Sequence, residues 1–198
     1  GVFITTTGVG VLPEGVSISP AAAKPGQAVL LSGTIGDHGV AILSKRENLT
    51  FETEIQSDSA ALHGLVGSMV DAVPGISVLR DPTRGGLATA LNEIAHASKI
   101  GVMLDEGEIP VRPDVEGACE LLGLDPLYVA NEGKLICICE ASDADRLLEI
   151  MKAHPLGQNA AKIGEIVGDA DCMVVMKTGF GGSRVVDWLS GEQLPRIC

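Results

Sequence analysis

Short apolar segments of the kind that form buried strands occur along the whole chain, and segments with helical periodicity lie between them in no regular order. A strict strand–helix alternation would indicate a parallel sheet, whereas this irregular order favours a mixed sheet. Aromatic residues make up only 3% of the sequence, so Val, Ile, Leu and Ala must build the core. The sequence therefore predicts the α/β (α+β) class, with helices covering the faces of a mixed sheet.

The predicted elements are short, and turns rich in glycine and proline separate them. Apolar and β-branched runs predict strands at residues 2–12, 28–32, 76–79, 101–104, 135–140, 161–167, 172–177 and 183–186. Helical periodicity predicts helices at residues 40–46, 60–73, 87–98, 114–122 and 143–153. Asp114 is expected to cap the fourth of these helices, and Gly123 is expected to end it.

Three parts are predicted along the chain. Residues 1–23 are interpreted as the last strand and the linker of a mostly missing N-terminal domain, because this strand starts without a preceding turn or cap. Residues 24–190 are predicted to form the α/β domain. Residues 191–198 are predicted to form a flexible tail, since Pro195 blocks helix continuation and chain ends are mobile unless they are tied down.

The net charge of −12 disfavours nucleic acid and anionic membranes as partners, because both require clustered positive charge. The sequence contains no apolar run of the roughly 18 residues that a membrane-spanning helix needs. It also opens without the basic start and the cleavage region of a signal peptide. A cytoplasmic location is therefore expected.

The cysteines are odd in number, and four of them lie in apolar surroundings: Cys119, Cys137, Cys139 and Cys172. This pattern predicts free thiols in a reducing compartment rather than a disulfide framework. Cys137 and Cys139 would face the same side of an extended strand. No His or Cys pair at ligand spacing completes a zinc set around them, so core packing is expected there, and no metal.

The last residue of the sequence is itself a cysteine, and Cys198 therefore carries both a thiol and the α-carboxylate. A thiol on an extended arm suits a carrier, to which a group is attached at one place and processed at another. The alternative is a chain end that merely happens to finish in cysteine. The terminal cysteine alone does not decide between these two interpretations.

Residues 33–39 read Gly-Thr-Ile-Gly-Asp-His-Gly and lie between a predicted strand and a predicted helix. Glycines at such a position allow backbone N–H groups to approach an anion, and the start of a helix adds positive potential. Gly36, Asp37 and His38 are therefore candidates for binding a cofactor that carries phosphate. A tight structural turn, with His38 in a capping role, is the alternative.

Residues 81–86 read Asp-Pro-Thr-Arg-Gly-Gly and precede another predicted helix. The guanidinium of Arg84 can bind a phosphate or a carboxylate in bidentate fashion, and Asp81 can hold either Arg84 or Mg²⁺. Together with Thr83, these two residues are candidate cofactor ligands. The alternative is an Asp–Arg ion pair that only stabilises the loop.

A third polar segment, Asn131-Glu132-Gly133-Lys134, precedes a predicted buried strand. A carboxylate at the edge of a strand and beside a glycine is a reasonable general base, which makes Glu132 a candidate catalytic residue. Asn131 is a candidate cofactor ligand. A plain surface turn is the alternative for this segment.

Together these segments resemble the HypE family of hydrogenase maturation factors, in the superfamily of aminoimidazole ribonucleotide synthetase. The similarity follows the order of the chain and includes residues 3–10, 32–39, 80–86, 119–125, 130–135, 154–157 and 195–198. The closing Pro-Arg-Ile-Cys is the most specific of these motifs, since the central ones are shared more widely in the superfamily.

The resemblance implies the C-terminal part of a two-domain, homodimeric carbamoyl dehydratase. Its N-terminal domain would bind most of the ATP and Mg²⁺ and would supply a lysine. In this family the carbamoyltransferase HypF places a carbamoyl group on the terminal thiol, and ATP-dependent dehydration converts that group to a thiocyanate. The cyano group then passes to the iron of a [NiFe]-hydrogenase precursor on the HypC–HypD complex, a step of metallocenter assembly.

For this sequence the resemblance implies that Cys198 carries the group and that Glu132 is the base. The residues expected to line the cofactor site are Gly36, Asp37, His38, Asp81, Thr83, Arg84 and Asn131. The chain alone is expected to be inactive, because most of the nucleotide site would be missing. A second hypothesis is a non-catalytic carrier and docking module that presents the terminal cysteine to maturation partners. A purine-pathway synthetase of the same superfamily is disfavoured, since its chemistry needs no tethered thiol.

Overall fold

The computed structural model describes residues 5, 7, 9–49 and 54–189. Seven strands form in this part of the chain: β1 (Ala28–Leu31), β2 (Val78–Arg80), β3 (Gly101–Asp105), β4 (Ile136–Cys139), β5 (Ala161–Val167), β6 (Val174–Lys177) and β7 (Ser183–Val185). Five α-helices accompany them: α1 (Asp37–Arg46), α2 (His63–Ala72), α3 (Gly86–Ser98), α4 (Pro113–Leu122) and α5 (Ala144–Ala153). None of these helices combines the length and the apolar composition that crossing a membrane requires.

The described strands form one sheet in the order β2-β4-β1-β5-β3-β6-β7. The pair β3–β6 is parallel, and the other neighbouring pairs are antiparallel. The sheet is therefore mixed, and the predicted fold class is confirmed.

Different helices cover the two faces of the sheet. On β1, Leu30 packs with the apolar residues of α2 and α5, whereas Leu31 packs with those of α3. Because successive side chains of a strand point to opposite faces, α2 and α5 lie on one face of the sheet and α3 lies on the other. All four residues of β1 are buried, as expected for a strand that is covered on both sides.

Helices α1 and α4 form a further, smaller apolar cluster with each other. Val40 and Ala41 of α1 pack there with Val115 and Ala118 of α4. This cluster supports the start of α1, where a candidate cofactor loop enters the helix.

The cysteines of β4 occupy the core, as predicted. Cys137 and Cys139 are fully buried and belong to the cluster on the α2–α5 face, which confirms that both thiols face the same side. Cys119 is buried on α4, whereas Cys172 is partly exposed. All four are free thiols.

The strand predicted for residues 2–12 lies partly outside the described residues. Thr5, Thr7 and residues 9–12 are described, and they are not in a strand. None of the described strands pairs with them, and the side chains of Val9 and Val11 are 98% and 95% exposed. A β-branched sequence forms a strand only where a neighbour accepts and donates its backbone hydrogen bonds, so the prediction is wrong for these residues.

The ends of two helices also differ from the prediction. Helix α1 begins at Asp37 rather than at residue 40, because Gly36 adopts a left-handed φ of 89° and turns the chain directly into the helix. Helix α4 begins at Pro113, so Asp114 lies in its first turn and binds the guanidinium of Arg112 instead of capping the helix. Gly123 ends α4 at a φ of 65°, as predicted. The other predicted elements are confirmed, with ends shifted by up to a few residues.

The packing of α3 against the sheet gives a test of this core. Leu91 of α3 is fully buried, whereas Leu121 of α4 is 80% exposed. We expect Leu91→Ala to lower the free energy of unfolding by about 2–5 kcal/mol, because it leaves a cavity beneath the sheet. Leu121→Ala is the matched control and should change the free energy by less than about 0.5 kcal/mol. Urea unfolding followed by circular dichroism measures both, and equal losses would contradict the assigned face of α3.

Candidate active site

The three polar loops singled out in the sequence meet at one edge of the sheet. Strand β4 is antiparallel to both β1 and β2, and Ile136 of β4 pairs with Leu31 of β1 and with Arg80 of β2. The loops that follow β1 and β2 therefore lie beside the segment that precedes β4. This topology brings residues 33–39, 81–86 and 131–134 together.

The side-chain amide of Asn131 joins these loops. It is fully buried, and its Oδ1 accepts the backbone N–H of Gly36 at 2.8 Å. Its Nδ2 donates to the carbonyl oxygens of Pro82 and Val129, both at 3.0 Å. Asn131 therefore has a structural role here, in addition to its predicted role as a cofactor ligand.

Gly86 allows the loop before α3 to approach the segment before β4 closely. It has a φ of 63°, and a Cβ at this position would collide with the carbonyl oxygens of Leu127 and Val129. Both the backbone angle and the lack of space therefore require glycine here.

Asp37 is 3% exposed and has two partners for its carboxylate. The hydroxyl of Thr34 donates to it at 2.6 Å, and the guanidinium of Arg112 lies 3.4 Å away. The N–H of Gly36 is already used by Asn131. In this structure the polar groups of Gly36 and Asp37 are thus engaged within the protein.

His38 is 7% exposed, and its Nδ1 lies 2.8 Å from the hydroxyl of Ser57. Its Nε2 is buried and has no hydrogen-bond partner in the described part of the chain. A buried ring nitrogen of this kind is uncommon and is available to a further polar group. The sequence analysis considered a turn-capping role for His38. In the structure, His38 instead contacts the loop around residue 57.

Asp81 pairs with Arg80 at 2.7 Å rather than with Arg84. Arg80 also binds Glu93 of α3 at 2.7 Å, and the hydrogen bond to Glu93 raises the pKa of Arg80. The ion pair between Asp81 and Arg84 that the sequence analysis considered therefore does not form.

Arg84 is exposed at the start of α3 and makes no ion pair with any residue that the structure describes. Thr83 is partly buried, and its carbonyl oxygen accepts the N–H of Gly86 at 2.9 Å. The guanidinium of Arg84 is thus the candidate group at this edge that remains open to an anion.

Among the described residues, no group of three or more His, Cys, Asp or Glu side chains is arranged to hold a metal ion.

The candidate base Glu132 is held through its backbone by a residue that the sequence analysis missed. The N–H of Glu132 donates to Oδ1 of Asp58 at 3.0 Å, and the ammonium of Lys134 binds the other oxygen of Asp58, also at 3.0 Å. The side chain of Asp58 is only 4% exposed. In the sequence, Asp58 lies in the polar stretch Gln-Ser-Asp-Ser, which looks like an ordinary surface loop. No local signal distinguishes it, because its partners lie more than seventy residues further along the chain.

A cavity of about 230 Å³ lies beside this contact. Its lining includes Thr34, Asp58, Gly133 and Lys134, together with Pro155, Leu156, Gln158 and Asn159. The segment after α5, which contributed to the family resemblance, is thus part of the same edge. A cavity with convergent polar groups is the usual form of a small-molecule site.

Cys198 lies outside the described residues, so its position relative to this edge stays a prediction. The chain that leads towards it is anchored on α3: Asn92 donates to the carbonyl oxygen of Val186 at 2.9 Å, and the ring of Trp188 contacts that of His96. Val186 itself is buried in the core.

The family described as "AIR synthase related protein, C-terminal domain" matches residues 24–177. The chain belongs to this family. The matched residues include all of the strands from β1 to β6 and the three loops that meet at the edge of the sheet.

Comparison with individual proteins narrows the family further. Carbamoyl dehydratase HypE of Cupriavidus necator is 69% identical over 198 residues, which are 100% of this chain and 56% of that protein. A crystal structure of hydrogenase maturation protein HypE in complex with ATP gives a TM-score of 0.86 at 48% identity, covering 91% of this chain and 55% of that chain. A crystal structure of a HypE–HypF complex gives a TM-score of 0.87 at 47% identity, covering 90% and 58%. The resemblance to the HypE family is confirmed, and the chain spans little more than half the length of these relatives.

The amide of Asn131 gives a test of how the site is held together. We expect Asn131→Ala to lower the free energy of unfolding by about 3 kcal/mol, because it leaves the buried N–H of Gly36 and the carbonyl oxygen of Val129 without a partner. The exposed Asn159 borders the same cavity, and Asn159→Ala should cost less than about 0.5 kcal/mol. Urea unfolding of both variants is the measurement, and a loss for Asn131→Ala as small as the control's would show that the amide does not join the loops.

Proposed function

We propose that this chain is the C-terminal part of a carbamoyl dehydratase that acts in the maturation of [NiFe]-hydrogenases. The reaction is the ATP-dependent dehydration of an S-carbamoyl group on Cys198 to a thiocyanate, which supplies the cyanide ligand of the active-site iron. The observation that carries the proposal is the meeting of three polar loops at one edge of the sheet, where the turn that carries Glu132 borders a polar cavity through Gly133 and Lys134. The 69% identity to a carbamoyl dehydratase HypE supports it.

The chemistry assigns distinct tasks to the chain's own residues. Cys198 holds the carbamoyl group through its sulfur, so the substrate stays attached during processing. The carboxamide loses its oxygen and both nitrogen protons, which together amount to one water, and the carbon–nitrogen bond becomes a triple bond. Glu132 is the proposed acceptor of the nitrogen protons. The protein must also exclude bulk water from the activated group, which would otherwise be hydrolysed.

ATP, when bound, supplies the phosphoryl group that turns the carboxamide oxygen into a leaving group. The described residues fit a phosphate at the start of α3, where the exposed guanidinium of Arg84 has no acidic partner in the described chain. The orphaned Nε2 of His38 offers a second polar contact at this edge. Asp37, Asp81 and Thr83 would act beside them, and Mg²⁺ would be held mainly by the preceding domain.

The organisation of the whole protein follows from the same proposal. Residues 1–23 would complete and link the N-terminal ATP-binding domain, residues 24–190 would form the domain described above, and residues 191–198 would be the flexible carrier tail. The chain alone would be inactive. HypF would load the tail, the HypC–HypD complex would receive the cyano group, and the full-length protein would be a cytoplasmic homodimer. The existence of a crystallised HypE–HypF complex supports the first of these partners.

The reaction can be followed by intact mass of a full-length protein that contains this chain. Incubation with the carbamoyltransferase, carbamoyl phosphate and ATP should add one carbamoyl group, and the adduct should then lose the mass of one water. In Glu132→Gln the adduct should form normally but lose water about 100-fold more slowly or not at all, because a well-placed base contributes a rate factor of this order.

Glu149→Gln is the matched control, because Glu149 is exposed on α5, and it should behave as wild type. An adduct that never loses water in the wild type would leave only the function of a carrier and docking module. Water loss at the wild-type rate in Glu132→Gln would contradict the proposed base.

The site of attachment has a separate test with a cysteine control. Cys198→Ala should abolish carbamoyl acceptance, whereas Cys172→Ala should leave it unchanged. The three other thiols are poor competitors: burial raises the pKa of Cys119 to about 11, the hydrogen bond with Cys139 together with burial raises the pKa of Cys137, and Cys139 is fully buried. Peptide mapping of the adduct measures this, and a carbamoyl group retained in Cys198→Ala would remove the carrier role. Thermal unfolding of the variant should match that of the wild type.

A further inference from the structure

Asp58 is a nearly buried carboxylate that binds both sides of the proposed base. One of its oxygens accepts the backbone N–H of Glu132, and the other binds the ammonium of Lys134. Glu132 and Lys134 are separated only by Gly133, so a single side chain fixes the whole turn that carries the base. A carboxylate that accepts hydrogen bonds from two donors in a buried place makes stronger contacts than a neutral acceptor does.

The loop that carries Asp58 is itself held in place. The hydroxyl of Ser57 lies 2.8 Å from Nδ1 of His38, which connects this loop to α1. The backbone of Asp58 packs so closely on Gly133 that a Cβ on Gly133 would collide with its carbonyl oxygen. Both side-chain and backbone contacts therefore connect the loop that carries Asp58 with the turn that carries Glu132.

We propose that Asp58 is a positioning residue for Glu132: it fixes the backbone of the base and holds the ammonium of Lys134 away from the base's carboxylate. This inference rests on the proposed function, in which Glu132 accepts protons from the carboxamide nitrogen. In the described part of the chain, Lys134 makes its ion pair with Asp58 and not with Glu132.

The charge of Lys134 explains why an acidic residue is needed at position 58. The side chain of Lys134 is only 13% exposed, so its ammonium must find a partner inside the protein. Without Asp58, the acidic residue that precedes Lys134 by two positions in the same turn is Glu132. A carboxylate that pairs with an ammonium is a weaker base, and it is also turned away from its substrate. Asp58 therefore serves both the geometry and the basicity of Glu132.

Three variants of the full-length protein separate these two effects. Asp58→Ala removes both contacts. Asp58→Asn keeps an oxygen for the N–H of Glu132 but loses the ion pair with Lys134. The double variant Asp58→Asn, Lys134→Gln replaces the ion pair by a neutral amide pair and removes the ammonium. Asp71→Asn is the control, since Asp71 is exposed on α2.

The readouts are the rate of water loss at saturating ATP, measured in a single turnover, and the ATP concentration that gives half of that rate. We expect Asp58→Ala to lower the saturated rate about 100-fold, the order of effect that a displaced catalytic group produces. Asp58→Asn should lower it about 10-fold, and the double variant should recover to within about 3-fold of wild type. The half-saturating ATP concentration should stay unchanged in all three, because none of these residues is assigned to ATP.

Hydrogen exchange of the Glu132 amide in the same proteins tests the contact without any activity. Exchange should be faster in Asp58→Ala and close to wild type in Asp58→Asn and in Asp71→Asn. Unchanged exchange in Asp58→Ala would overturn the contact itself. A failure of the double variant to recover would overturn the role of the ion pair.

The outcome also distinguishes this inference from the proposed function. If the wild type loses no water, or if Glu132→Gln is as fast as wild type, the proposed function fails, and the positioning role fails with it. If Glu132→Gln is slow while Asp58→Ala keeps the wild-type rate, only the positioning role of Asp58 is wrong.

Discussion

The buried amide of Asn131 is the contact on which the candidate site depends. A side-chain amide offers one acceptor and two donors, and here all of them are used by backbone groups, two of which belong to the loops after β1 and β2. Losing the amide would leave the N–H of Gly36 and the carbonyl oxygen of Val129 unpaired, at a cost of about 1–3 kcal/mol each, whereas the carbonyl oxygen of Pro82 would keep the backbone N–H of Asn131. The loops after β1 and β2 are thus held against the segment before β4 by the need to satisfy buried polar groups. Apolar packing alone would not fix their relative positions as closely.

The sheet provides the frame for this contact. Because β4 runs antiparallel between β1 and β2, two loops and one incoming segment must share an edge of the sheet. Glycines then allow the approach: Gly86 touches the carbonyl oxygens before β4, and Gly133 touches the backbone of Asp58. Polar groups that come from distant parts of the sequence are thereby brought within hydrogen-bond distance. These contacts restrict the movement of the turn that carries Glu132, which suits the proposed role of Glu132 as the acceptor of the substrate's protons.

The sequence alone predicts much of the frame, because the frame depends on local patterns. The run Ala-Val-Leu-Leu has no polar face and must be a central strand, and the helical periodicity before Ser98 requires an apolar partner such as the sheet. It also predicts that the functional site includes the loops at residues 33–39 and 81–86 and the segment at 131–134. It does not predict how they connect. Asp81 binds Arg80, which precedes it, rather than Arg84, and this choice depends on helix α3, where Glu93 fixes Arg80.

Asp58 shows the limit of such reasoning most clearly, and it also shows why the site works as a unit. Its surroundings in the sequence are those of a solvated loop, yet its side chain is nearly buried by groups from beyond residue 130. Burying a charge is costly unless it is paired and hydrogen-bonded, and Lys134 and the N–H of Glu132 meet both conditions. The same pairing satisfies the buried ammonium of Lys134. Each charge is therefore tolerated only because the other is present, and the turn that carries Glu132 inherits its rigidity from that mutual dependence.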